Sequence, residues 1–247
     1  MEEQKLTVRA VERALDILLA FTESPELGLT EIAGKVSLHK STVHRLLASL
    51  EGKGFIKRNP DSEKYRLGYR IWELAANLHH ADDPAVLLLP EMERLRDELG
   101  ETITLYVREG NERIRIQAVQ SKQAIRRVAQ VGARLPLYVG ASSKVLLAFA
   151  EQESIEAIMN SPDWPESIDK RKYLQQLAEI RQHGLATSVE EREVGAAAAS
   201  APIFNRQKKL FAALSVSGPS NRWTLEKMRG CAQIIIDAAN RMGNLIR

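Results

Sequence analysis

Lys40, Ser41, Thr42, His44 and Arg45 crowd about the first turn and a half of a predicted helix. Cations, hydroxyls and an imidazole at that density can hydrogen-bond base edges and phosphates. Val43, Leu46, Leu47 and Leu50 recur at i, i+3, i+4 and i+7, so an apolar stripe holds the polar set on the opposite face. Just before them, Ile32, Ala33 and Val36 share one face of another short helix, for which Thr30 is the expected N-cap. Leu29 to Leu50 therefore has the spacing of a helix-turn-helix, whose second helix enters the major groove. Small Ala33 suits the crossing of the two helices. Ser37 stands at the turn position that usually carries Gly, and a left-handed backbone there costs of order 1 kcal/mol. The alternative is an ordinary helical pair with a solvated basic face.

The next residues favour the first reading. A short strand at Phe55 to Lys57, a turn at Arg58 to Glu63 and a strand at Lys64 to Leu67 form a predicted wing. Residues 35–70 carry nine Lys/Arg against three acids, an excess of six, whereas the whole chain is only +3. Positive charge confined to the helix and hairpin is an electrostatic footprint for a duplex. Lys57, Arg58, Lys64 and Arg66 are its candidate phosphate contacts.

Other elements must hold this face in place. Val8 to Phe21 is a strongly amphipathic segment with Val11, Ala14, Leu15, Leu18 and Leu19 expected to pack under the motif. Residues 1–67 make the predicted DNA-binding domain. Gly68 to His80 reads as a linker helix within 68–83, with Ile71, Leu74, Ala75 and Leu78 on a narrow apolar face. That face can pair with a second copy or pack within the chain. At 247 residues and 44% apolar, the chain has length for a second core, placed at 84–247. The start lacks a signal peptide and no apolar run spans a membrane, so a cytoplasmic location is expected. Single Cys231 excludes an intrachain disulfide and sits in an apolar stretch that suits packing.

The second domain alternates strand and helix patterns. Strands are predicted at Thr102–Val107, Arg113–Val119, Ile125–Gln130, Leu185–Val189, Ala197–Phe204 and Lys209–Val216. Helices are predicted at Val86–Leu99, Ser143–Ala150, Gln152–Met159, Asp169–His183 and Leu225–Ile246. Runs of strands with helices at the ends indicate an α+β domain on an antiparallel sheet. Tyr138 to Lys144 is a hydroxyl-rich turn into a helix, able to hold an anion on free N–H groups or simply to be N-capped by Ser142 or Ser143. Ser215 and Ser217 share one face of a strand and point either to a polar ligand or to solvent. Phosphate-loop, nucleophile-elbow, zinc and dinucleotide signatures are missing, so no cofactor or metal is expected. Glu190, Glu191 and Glu193 around Arg192 read as a solvated loop.

Together, Arg9–Leu19, Leu29–Leu50, the wing to Gly68, Gly140–Leu147 (GASSKVLL), Glu190–Ala201 (EEREVGAAAASA) and Ser215–Pro219 (SVSGP) resemble the isocitrate lyase regulator (IclR) family of bacterial transcription regulators. The resemblance covers nearly the whole chain, in order and at the right spacing. It implies an N-terminal winged helix-turn-helix, a linker helix and a GAF-like effector domain. It further implies a homodimer or dimer of dimers that binds double-stranded operator DNA and is switched by a small organic, sugar or aromatic acid. Carried over to this chain, the effector positions are Ala141, Ser142, Ser188, Ala198, Ser215 and Ser217. Many members have Asp where this chain has Ser188 and Cys where it has Ala198, which implies a less acidic and roomier pocket. His39 stands where the family often has Pro. A ligand-binding or enzymatic domain with a vestigial DNA-binding head, or an oligomerising scaffold, are the competing readings; salt-dependent duplex binding and a titratable ligand discriminate them.

Overall fold

A computed structural model describes residues 7–76 and 83–246. They form two compact units, one on each side of the segment 77–82.

In the first unit, α1 (Arg9–Ala20), α2 (Leu29–Lys35) and α3 (Lys40–Gly52) precede an antiparallel hairpin of β1 (Ile56–Arg58) and β2 (Tyr65–Leu67), and α4 (Tyr69–Ala76) follows it. Its core joins Ile17 and Phe21 of α1 and its C-cap to Ile32, Ala33, Val43, Leu47, Ile56 and Tyr65. Leu27 bridges Tyr65 through paired backbone hydrogen bonds, adding a third short strand where only a loop was expected. Gly28, not Thr30, caps α2, and its N–H donates to Glu31 Oε2 at 2.7 Å.

The expected buried face of α1 needs correction. Val11, Leu15 and Leu19 are 55, 52 and 63% exposed and continue a stripe from Val8 at 65%. Apolar residues occupy most of this helix's circumference, so periodicity alone did not identify the packed side. Ile17 and Phe21 lie roughly a third of the circumference away from that stripe and turn inward.

Ser37 does adopt a left-handed conformation, with φ of +51°. Ser37→Gly is expected to raise the first unit's stability by roughly 0.5–1 kcal/mol, since Gly relieves the Cβ penalty but loses more chain entropy on folding. Chemical denaturation midpoints measure it; an unchanged or lowered midpoint rules out a net gain.

The second unit begins with α5 (Pro84–Leu87) and α6 (Leu89–Leu99), followed by β3 (Thr102–Glu109), β4 (Glu112–Val119) and β5 (Arg134–Pro136). Then come α7 (Ala141–Ala148), α8 (Gln152–Met159), α9 (Lys170–His183), β6 (Ala186–Val189), β7 (Ala196–Phe204), β8 (Leu210–Pro219), α10 (Leu225–Gly230) and α11 (Ala232–Leu245). The six strands β3–β8 form one sheet in the order β5-β4-β3-β8-β7-β6, every neighbour antiparallel. This is the expected α+β, GAF-like arrangement.

Strand alternation splits the sheet's side chains between two layers. Ile103, Leu105, Leu214, Val216 and the alanines 197, 199 and 201 pack on α6, α10 and α11 around buried Trp223. Tyr106, Ala213 and Ala186 face α7, α8 and α9. The alanine run of β7 allows helices to approach both faces closely. At Gly243 of α11, a Cβ would lie only 2.1 Å from the Phe204 carbonyl oxygen, so this approach requires glycine.

Three predicted elements differ. Predicted helix Val86–Leu99 breaks at Leu88 into α5 and α6, with Pro90 in the first turn of the second. Residues Ile125 to Gln130 form no strand; Ile125 and Val128 are 75 and 69% exposed, and the segment's carbonyls are bound by side chains instead of a neighbouring strand, Arg127 by the Thr102 hydroxyl and Gln130 by Arg115, both at 2.8 Å. Predicted helix Leu225–Ile246 breaks at Cys231, which is half-buried beside the core.

Candidate DNA-reading face and ligand cavity

On α3, Lys40, Ser41, His44 and Arg45 are exposed and Thr42 is half-buried, while Val43 and Leu47 are fully buried on the other side. His39 caps the helix: its Nδ1 accepts the Ser41 N–H at 3.3 Å and lies 2.7 Å from the Ser41 hydroxyl. The cap fixes the helix start and orients Ser41.

In the wing, Lys57 is registered opposite Arg66, so both project from one face of the hairpin, with Lys64 two residues from Arg66 on the same side. Arg58 instead opposes Tyr65, sits 5.9 Å from that ring's centroid and pairs with Glu63 at 2.8 Å. Alternation thus separates Arg58 from the other three wing cations.

All six sequence-predicted effector positions, Ala141, Ser142, Ser188, Ala198, Ser215 and Ser217, line one cavity in the second unit. Its empty space is about 550 Å³, including its open mouth. The sheet register explains the convergence. Ser217 lies between Thr102 and Ala198 on neighbouring strands, Ala198 is opposite Ser188, and Ser215 lies between Thr104 and Ser200. Period-two alternation therefore puts a field of hydroxyls on the sheet face that looks toward α7.

The N terminus of α7 closes one end. Gly140 is its N-cap at φ of +93°, and no side chain performs the capping. Its N–H donates to Glu191 Oε2 at 3.2 Å. The next three N–H groups, on Ala141, Ser142 and Ser143, meet no protein acceptor among the described residues. Those groups and the helix dipole favour an anion. The Ser143 hydroxyl faces inward, donating to the Pro136 carbonyl at 3.0 Å and accepting from Arg113, so neither Ser142 nor Ser143 serves as the N-cap.

Sequence reasoning missed the cations. Arg113, Arg115, Arg127 and Arg192 also line the cavity, with Tyr106 among them. Arg115 donates from Nε and a terminal nitrogen to the Tyr106 hydroxyl at 3.0 and 2.9 Å and to the Gln130 carbonyl at 2.8 Å. The Arg113 guanidinium lies 5.1 Å from the Tyr106 ring centroid. Burial pushes the Arg113 pKa down to about 10, with further depression from neighbouring Arg192 and Arg115 against an opposing pull from Tyr106. Burial alone would raise the Tyr106 phenol, yet Arg115 and Arg113 together hold it below its ordinary value. The Arg-Ile-Arg alternation in β4 was the available sequence signal.

The acidic block is likewise not a plain solvated loop. Glu191 pairs with Lys144, which is 5% exposed and also donates to the Thr187 carbonyl at 3.2 Å. Glu193 pairs with Arg127 and lies 3.7 Å from Arg192. The cavity's dominant feature is basicity, which the Ser188 and Ala198 departures did not reveal.

A winged helix-turn-helix joined in one chain to a sheet domain with a polar, arginine-lined cavity defines a class of DNA-binding regulator. The model of the IclR helix-turn-helix domain matches residues 10–60, and that of the bacterial transcriptional regulator IclR C-terminal domain matches residues 80–244. The chain belongs to the IclR family of transcriptional regulators. It is 31% identical to regulator KipR of Bacillus subtilis, over 96% of this chain and 97% of that protein. It is 32% identical to regulator XynR of Escherichia coli, over 87 and 88% of the two chains. Among solved structures, an IclR homologue from Microbacterium hydrocarbonoxydans complexed with 4-hydroxybenzoate aligns at a TM-score of 0.84 and 26% identity, covering 96 and 99%. An IclR regulator from Alicyclobacillus acidocaldarius aligns at 0.82 and 26%, covering 97 and 99%. These relatives are regulators, and the chain is a DNA-binding regulator and not an enzyme. No described helix is long and apolar enough to cross a membrane.

Proposed function

We propose that this protein binds operator DNA as a homodimer, or as a dimer of dimers, and that a small organic acid in the second-unit cavity switches this binding. The observation that carries the switch is that the six positions carried over together from the family resemblance line one cavity beside the N terminus of α7. A homologue whose structure holds 4-hydroxybenzoate supports an acid as the ligand. Lys40, Ser41, Thr42, His44 and Arg45 enter the major groove. Lys57, Lys64 and Arg66 hold phosphates, and Arg58 reaches a phosphate only by leaving Glu63.

The dimer reading rests on exposed apolar surface in the first unit. Val8, Val11, Leu15 and Leu19 form the outward stripe of α1; on α4 (Tyr69–Ala76), Tyr69 and Trp72 are 80 and 76% exposed. Of the expected linker face, Leu74 is exposed, Ile71 and Ala75 are half-buried, and Leu78 lies outside the described residues. A second copy covers these stripes, and residues 68–83 act as the linker between the two units. Effector binding shifts that linkage by its differential affinity for the two states, typically about 1–3 kcal/mol of coupling.

Arg45→Ala tests the reading face. Operator affinity is expected to fall by roughly 1–3 kcal/mol, about fivefold to 150-fold, with oligomerisation intact because Arg45 is exposed opposite the core. Fluorescence anisotropy with labelled operator, beside sedimentation, measures both. Unchanged affinity removes Arg45 from the interface.

A further inference from the structure

The cavity is more cationic than a simple acid requires. Four guanidiniums line it, and Glu193 is the one carboxylate among its described lining residues. Arg113 and Arg115 are 3 and 6% exposed, yet neither forms an ion pair among the described residues. Their partners are neutral: the Tyr106 hydroxyl, the carbonyls of Val139 and Gln130, and the Ser143 hydroxyl. Arg113 Nε is buried without any hydrogen-bond partner. A buried charge without a counter-charge is costly, so a purely structural network would be expected to carry carboxylates here. Arg192 and Arg127 add to the same repulsive field, since Arg192 and Arg115 act on Arg113 while Arg127 and Arg115 act on Arg192. The cavity therefore has two sets of anion-seeking groups: the free N–H groups of α7 with the Ser215 and Ser217 hydroxyls and Arg113, whose guanidinium lies against Gly140 and Ser143, and the set of Arg115, Arg127 and Arg192.

On the reading that this cavity is the effector site, we propose that its ligand carries two anionic groups, as a dicarboxylate or a phosphorylated acid. One group sits at the N terminus of α7, and the other among Arg115, Arg127 and Arg192. Glu193 is the internal carboxylate that holds Arg127 and Arg192 until the second group displaces it; its side chain is 57% exposed and free to turn outward. A singly charged acid satisfies one end and leaves the arginine end to Glu193.

The full-length protein, alone and on labelled operator, is titrated with matched acids differing by one anionic group. Succinate is set against butyrate and malate against lactate for the carboxylate arm, and 3-phosphoglycerate against glycerate for the phosphate arm. Calorimetry reads binding and anisotropy reads operator release. At least one doubly charged acid is expected to bind tenfold or more tightly than its partner and to release operator; the winning arm distinguishes carboxylate from phosphate. In the double variant Arg127→Gln and Arg192→Gln, whose side chains are partly exposed, that ratio is expected to fall below threefold in protein that still unfolds cooperatively. A ratio near one in the unaltered protein, with singly charged acids binding and releasing operator, overturns the proposal and leaves the effector reading standing. No binding by any member of the pairs overturns both, and an undiminished ratio in the double variant overturns the placement of the second group.

Discussion

Ser217→Leu is expected to abolish operator release at effector concentrations a hundredfold above those that saturate the unaltered protein, while operator binding itself persists. Ser217 lies on the central strand β8, between Thr102 and Ala198, and lines the cavity with its hydroxyl near the α7 end. Leucine both removes that donor and fills space where a ligand group must sit. The backbone tolerates the change, because Ser217 is half-buried and its side chain enters open volume, not the packed layer of Leu214 and Val216. Overpacking costs of about 1–3 kcal/mol apply to filled cores and set an upper bound here. The first unit is untouched, so its DNA-reading face remains. Operator release measured against effector concentration decides the matter: a folded variant that responds normally would place the ligand elsewhere.

The cavity's two halves differed in how well they could be seen from residue order. Strand periodicity placed Ser215 and Ser217 on one face but left open whether that face met ligand or solvent; Ala141, Ser142, Ser188 and Ala198 were legible only through the family resemblance. Arg113 and Arg115 share a face by the same periodicity, but an alternating Arg-Ile-Arg strand usually puts Ile inward and Arg in water. Only the sheet order shows otherwise, since α7 covers the arginine face too. Arg127 was hidden for another reason. Its segment has strand-like composition, yet its backbone groups go to side chains: the Thr102 hydroxyl donates to the Arg127 carbonyl at 2.8 Å. Glu193 and Arg192 look like a solvated block until the loop that follows β6 is seen folding toward Arg127.

The first unit divides similarly. α3 and its hairpin were legible because a recognition helix shows two periodic signals at once, an apolar stripe and a basic polar face. α1 shows one signal spread too widely. With apolar residues at 8, 11, 14, 15, 17, 18, 19 and 21, nothing local distinguishes the side that packs from the side left bare. Ile17 and Phe21 are the ones that join Val43 and Leu47 in the core, so the packed side is fixed by the partner helices and not by anything local to α1.

That bare stripe sets up the largest expected effect on DNA binding. Replacing Leu15 and Leu19 together with Glu is expected to lower operator affinity by about 10²–10⁴-fold, because binding two half-sites through one linked assembly exceeds single-site affinity by that order. Both leucines are more than half exposed within the chain, so the substitution leaves the first unit's own core intact. Its effect falls on contacts with another copy, where two carboxylates facing their symmetry equivalents repel. The variant should unfold with an unchanged denaturation midpoint for the first unit when measured at a concentration too low for association. It should sediment at lower mass, or show its paired first units separated. The affinity that remains should match a single recognition helix and wing, with a correspondingly shallower salt dependence as fewer phosphates are neutralised. Full operator affinity in the double variant would mean that the two half-sites are held together elsewhere, and the α1 stripe would lose its assigned role.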